Sequence, residues 1–232
     1  MDISIFLIDP SNHGIPRDSA RFQRLIDVIL STDIKEINLV SGRSPHYEAT
    51  FLEKIPIKVF ESKGLFNKLK PNKLLKRHIS TDQFELGMLL DKLGKENKNV
   101  AFIYYEDDRN DLAYDGSDLI VKFLKMFYER KGLIVGMKKI SFDEISKHDL
   151  IKGDFLSEGE YHIRSVFRVE RALQASSNLA LSRRFILNSP FFELLSQHIA
   201  VNEKTAFIES LDYWSRTKPV FGCLPFQPLK IK

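Results

Sequence analysis

The chain has 232 residues, is 43% hydrophobic and 28% charged, and carries a net charge of +4. That length and balance suit an α/β domain with a sizeable core and exclude a globally disordered polymer. One cysteine, Cys223, excludes an internal disulfide framework and a multi-cysteine zinc site.

In chain order, residues 2–9 alternate and then run apolar into Asp9, which predicts a first strand rather than a leader peptide. Gly14 and Pro16 break the next stretch into a loop. Asp18 caps a helix to about Ser31, with Phe22, Leu25, Ile26 and Ile29 on its apolar face. Strands are expected at 36–41 and 57–60, with a short helix near 47–54 between them. Thr81 and Asp82 open an amphipathic helix, followed by a strand at 100–105, a helix from Ser117 to about Arg130 and a strand at 133–137. Strand and helix alternate throughout, so the expected fold class is α/β, a doubly wound, mainly parallel sheet, with a core domain over 1–141.

Beyond residue 142 the strand signals fade, and 142–232 is expected to be a mainly helical C-terminal extension. Helices are read at 161–176 and 178–186, and Ser189-Pro190 opens a third that carries Phe191, Phe192, Leu194 and Leu195. Arg164, Arg168 and Arg171 form a stripe on the first of these. The tail from Lys218 to Pro228 holds three prolines and is expected to pack irregularly across the surface. Trp214 reads as a core or interface aromatic. Its six histidines show no metal-binding spacing, so no structural zinc is expected.

The most informative segment is Phe102-Ile-Tyr-Tyr-Glu-Asp-Asp-Arg-Asn-Asp111, an apolar strand ending in four carboxylates: Glu106, Asp107, Asp108 and Asp111. Crowded carboxylates repel one another unless a cation neutralises them, and an oxygen-rich cluster suits Mg²⁺. In parallel sheets ligands lie beyond the carboxyl ends of the strands. Asp9, Ser41 and Asp107 are all strand-end residues by this reading and are expected to face one crevice. A second charge feature is the run between Glu53 and His78, with eight basic residues against two acids. It reads either as a footprint for phosphate or nucleic acid or as a solvated face.

The order of these strand ends resembles the haloacid dehalogenase (HAD-like) superfamily of Mg²⁺-dependent phosphohydrolases. The resemblance rests on Phe6-Leu-Ile-Asp9, Asn38-Leu-Val-Ser-Gly-Arg43 and Tyr104-Tyr-Glu-Asp-Asp-Arg109. Gly64-Leu-Phe-Asn-Lys-Leu-Lys-Pro71 and Thr81-Asp-Gln-Phe-Glu-Leu86 make the layout similar to the polynucleotide-repair phosphatase branch. The first motif is degenerate: Ser11 stands where that family has a second Asp, and Glu85 stands where it has a helix Lys.

The resemblance implies Asp9, Ser11, Ser41 and Arg43 as catalytic positions. It implies Ser41, Gly42, Arg43 and Lys70 as phosphate-binding residues, and Asp9, Asp107, Asp108 and Asp111 as ligands for Mg²⁺. The function so implied is a Mg²⁺-dependent phosphohydrolase that binds or hydrolyses a phosphorylated small molecule or a nucleic-acid end. Two alternatives stand beside it: a non-catalytic HAD-like interaction protein engaging a partner through its C-terminal helices, and a metal-dependent nuclease with a PIN-like site. No apolar run approaches the roughly 20 residues of a membrane span, and the expected location is cytoplasmic.

Overall fold

The computed structural model describes residues 3–9, 36–41, 57–61, 99–104, 116–170, 174–202 and 205–224. Four parallel strands come first: β1 (Ile3–Asp9), β2 (Glu36–Ser41), β3 (Ile57–Glu61) and β4 (Asn99–Tyr104). Helix α1 (Gly116–Arg130) leads to β5 (Leu133–Lys139) and a 3₁₀ turn at Phe142–Lys147. Then come β6 (Leu150–Ser157), β7 (Glu160–Phe167), β8 (Leu179–Leu187), α2 (Ser189–Val201), α3 (Ala206–Thr217) and β9 (Val220–Cys223).

These strands form one nine-stranded sheet in the order β3-β2-β1-β4-β8-β5-β9-β7-β6. β8 also pairs with β6, through Leu150 and Ala180, so β8, β5, β9, β7 and β6 close into a small barrel. Four of the nine pairings are parallel and five antiparallel, which makes the sheet mixed rather than doubly wound and mainly parallel. Strand β8, antiparallel to both neighbours, is what separates this arrangement from the expected one.

The helices read at 161–176 and 178–186 are in fact β7 and β8, so the C-terminal part is not mainly helical. Both misreadings have a physical origin. In β7, Lys152 pairs with Ser165 but Gly153 pairs with Ile163, so Arg164 is an extra, bulged residue. The bulge shifts the inward phase and leaves the buried Ile163 and Val166 three apart, a spacing that imitates a helix. Strand β8 lies between β4 and β5, and Ser182-Arg183-Arg184 interrupts its apolar ends, so it shows no strand alternation. The tail is also regular in part. Its prolines at 219, 225 and 228 flank β9 rather than interrupt it.

Helices α2 and α3 cover one face of the barrel half. Phe191, Phe192, Leu195, Leu211 and Trp214 pack there against Leu133, Val135, Phe185 and Leu187. Phe191 meets Trp214 edge-on at 5.6 Å between ring centroids, and Phe185 meets Phe207 at 4.8 Å. The apolar faces expected to engage a partner are therefore spent on the core. Helix α2 is capped by Asn188, one residue earlier than Ser189-Pro190 suggested: its side chain accepts from the Phe191 amide at 3.1 Å.

Helix α3 also satisfies the backbone around the β7 bulge. The Val166 amide donates to Asp212 Oδ1 at 3.0 Å, and Ser215 Oγ donates to the Arg164 carbonyl at 3.2 Å. The arginines of the supposed stripe pair with acids instead, Arg164 with Asp154 at 2.5 Å and Arg168 with Asp149 at 2.8 Å; Arg171 lies outside the described residues. Val135, Phe185 and Leu187 turn toward α2 and α3. By alternation Ile134, Gly136 and Ile186 turn to the opposite face, where α1 lies over β5, β8 and β9. Phe123, Leu124, Met126 and Phe127 of that helix are buried.

Candidate functional site

The register of the parallel strands brings their carboxyl ends to one edge. Asp9 pairs with Ser41, Ser41 with Glu61, and Ile8 with Tyr104. Two of the sequence-predicted residues, Asp9 and Ser41, are thus backbone neighbours on adjacent strands. Asp107, Asp108 and Asp111 follow the last residue of β4 by three, four and seven positions in the sequence. Those three acids lie outside the described residues, as do Ser11, Gly42, Arg43, Lys70 and the basic residues between Glu53 and His78 other than Lys58 of β3. Among the described residues there is no cluster of three or more His, Cys, Asp or Glu able to hold a metal.

The same edge continues across β8, β5 and β9. Arg184 of β8 stands opposite Ile103 of β4, and Gly136 of β5 opposite Cys223 of β9. Val135 pairs with Phe185 but Met137 pairs with Leu181, so Ser182, Arg183 and Arg184 bulge past Gly136 alone. Sequence reading placed these arginines on a helix; the S-R-R triplet interrupting an apolar strand was the available signal.

Polar contacts fasten α1 and the β6–β7 turn beside this edge. Lys122 Nζ donates to the Glu158 carbonyl at 2.8 Å, and Arg130 meets Glu160 at 3.0 Å. Gly159 adopts φ +69°, a left-handed conformation open to glycine, and its carbonyl accepts from the Leu224 amide at 2.7 Å.

Two groups that could suggest nucleophilic chemistry are structural. Cys223 is fully buried, and burial pushes its thiol from an ordinary 9.0 up to about 12, with Glu160 adding to the rise and Lys122 and Arg184 opposing it. The thiol is expected to resist a disulfide reagent at pH 8 in the native protein and to react once urea unfolds it. Its folded pKa is raised, so its contribution to stability is complete below about pH 9 and is lost as the pH rises toward 12. Urea titrations across that alkaline range should show less of this loss in Cys223→Ala.

Ser210 Oγ lies 2.9 Å from His198 Nδ1, a geometry that a serine nucleophile and its base would share. Ser210 is fully buried, however, and donates its single proton to the Ala206 carbonyl at 2.6 Å. The hydroxyl therefore accepts from Nδ1–H, which fixes the tautomer and joins α2 to α3.

No family model matches the sequence. A UTP--glucose-1-phosphate uridylyltransferase of Pseudomonas aeruginosa is 23% identical over 86 residues, 37% of this chain and 31% of that protein. A provisionally named UTP--glucose-1-phosphate uridylyltransferase of Methanocaldococcus jannaschii is 22% identical over 190 residues, 75% of this chain and 63% of that protein. The chain thus spans about a third of the Pseudomonas protein's length and under two thirds of the archaeal one's.

In three dimensions it is similar to apo UDP-glucose pyrophosphorylase, with a TM-score of 0.68 at 16% identity over 97% of this chain and 91% of that one. The UDP-glucose pyrophosphorylase complexed with UDP-glucose matches at a TM-score of 0.62, with the same identity and coverage. The fold is thus similar to that of these UDP-glucose pyrophosphorylases.

This likeness overturns the dehalogenase resemblance and, with it, the phosphohydrolase, HAD-like interaction and PIN-like nuclease readings. The cause of the error is general. Acids and small polar residues at the carboxyl ends of the first strands recur in many parallel α/β sheets. What departs from the expected doubly wound sheet is the reversed strand β8 and the barrel it helps to close, and β8 lies in the part of the chain read as helical. No helix among the described residues is long and apolar enough to cross a membrane.

Proposed function

We propose that the chain binds a uridine nucleotide or nucleotide sugar at the carboxyl edge of β1–β4, with nucleotidyl transfer to a sugar phosphate as its reaction class. One observation carries this reading: the strand-end neighbours Asp9 and Ser41 sit in a sheet that matches, over 97% of the chain, a pyrophosphorylase complexed with UDP-glucose. In such a transfer an oxygen of the sugar phosphate attacks the α-phosphorus of the nucleoside triphosphate, and pyrophosphate leaves. The site must gather two anionic phosphate groups, so it needs cations and amide donors.

Mg²⁺ suits the available donors. Asp9 ends β1 beside the end of β4, the strand that precedes Asp107, Asp108 and Asp111, and all four offer carboxylate oxygens. When bound, the ion neutralises phosphoryl charge as a Lewis acid. Ser41 and the Gly42 amide bind phosphoryl oxygens in this reading, Arg43 clamps them in a bidentate pair, and Lys70 adds a point charge. Ser11 follows Asp9 closely enough to donate a hydroxyl to the same phosphates. The partner is thus a phosphorylated small molecule rather than a nucleic-acid end.

Calorimetric titration of UTP and UDP-glucose with Mg²⁺ tests the reading. Binding that weakens at least about tenfold in Arg43→Met supports it, since a bidentate charged pair is lost. Absence of binding by both ligands at millimolar concentration would remove it.

A further inference from the structure

The β8 bulge holds a group that the nucleotide-binding reading leaves unused. Ser182 Oγ is buried and has no hydrogen-bond partner, the one such side-chain nitrogen or oxygen among the described residues. An orphaned buried hydroxyl is uncommon in a folded protein and points to a water or a ligand group that completes it. Gly136 makes room for it: a β-carbon at that position would lie 2.1 Å from Ser182 Oγ and 3.1 Å from the Arg184 β-carbon. Ser182 and Arg184 therefore share one face of the sheet, two residues apart.

The register sets this pair at the level where β4 ends. Arg184 pairs with Ile103, and Ser182 lies further toward the edge that carries Asp9 and Ser41. Bulges commonly re-aim side chains beside functional sites. β8 is two strand spacings from β1, roughly 10 Å, a distance that one nucleotide sugar spans from its phosphates to its sugar.

We propose that Ser182, with the Arg184 cation beside it, contacts the sugar-phosphate half of the ligand. Rotation about one bond turns the hydroxyl outward to meet a sugar hydroxyl or phosphoryl oxygen. This inference rests on the nucleotide-binding reading above.

Titration of UTP, UDP-glucose and glucose 1-phosphate, each with Mg²⁺, into the wild type and Ser182→Ala tests it. In the variant, UDP-glucose and glucose 1-phosphate should bind about tenfold more weakly while UTP affinity is unchanged. The ligand-free variant should melt no lower than the wild type, because it loses a polar atom that had no partner. Equal UDP-glucose affinity in both proteins, with UTP still bound, overturns this inference alone and leaves Ser182 to a structural water. Loss of UTP binding in the variant also overturns it, since the substitution would then act through the fold. A wild type that binds neither nucleotide removes the underlying reading and this inference together.

Discussion

Asp107→Asn is expected to lower uridylyl transfer on the order of 10²-fold or more, because the substitution keeps the size of the side chain and removes its charge. Even groups that merely orient a metal ligand cost about 10–100-fold when changed, and the proposed function makes Asp107 a ligand of the ion itself. Asp9→Asn should act in the same direction, since the proposed function makes it a ligand as well. The informative measurement is the initial rate against Mg²⁺ concentration with UTP and glucose 1-phosphate as substrates. Loss of a ligand raises the metal concentration needed for half the maximal rate, whereas damage to the fold lowers the rate at every concentration alike. A wild-type rate and metal dependence in both variants would remove the carboxylates from the site.

Phe191→Ala is expected to cost about 3–5 kcal/mol of stability, the range for emptying a buried aromatic position. Phe191 is fully buried, and its ring meets Phe207 at 6.0 Å and Trp214 at 5.6 Å. The hole would open at the seam where α2 and α3 cover the barrel strands, so little nearby can collapse into it. Urea denaturation should show a lower midpoint with an unchanged slope. Tyr213→Ala supplies the contrast: that ring is 56% exposed, and the change should stay within roughly 0.5 kcal/mol. Equal losses in the two variants would contradict the packing described.

The described strands and helix of the first half are legible in the sequence because their signals are local. The helices read at 18–31, 47–54 and from Thr81 lie outside the described residues. The strand at 36–41 was read with its final bounds, and those of β1, β3, β4 and α1 agree to within a residue. Each is a short apolar run with a polar end or a helix with a clear apolar face. Beyond Phe142 the evidence is not local. Arg164 is read as part of a helical stripe because the bulge that explains Ile163 and Val166 exists only when β6 is paired with β7. Strand β9 is four residues long and takes its stability from β5 and β7, which are distant in sequence.

The candidate site divides along the same line. Asp9 and Ser41 announce themselves as strand ends. Ser182 has no motif, and its peculiarity is the lack of a partner, a property of the folded chain. Acids at strand ends leave the reaction open, since such residues recur at the carboxyl edge of many parallel α/β sheets.

The seam that closes the barrel is narrow. β6 reaches β8 through the pairing of Leu150 with Ala180 and the adjoining bond from the Leu181 amide to the Asp149 carbonyl, at 2.8 Å. Strand β8, by contrast, pairs along much of its length with β4 and β5. The barrel is therefore latched at one point rather than sealed, and breaking that latch would leave β6 and β7 as a hairpin held through β9 and α3. In native-state hydrogen exchange the Leu181 amide should exchange through a small local opening, while the paired amides of Phe185 and Leu187 await global unfolding.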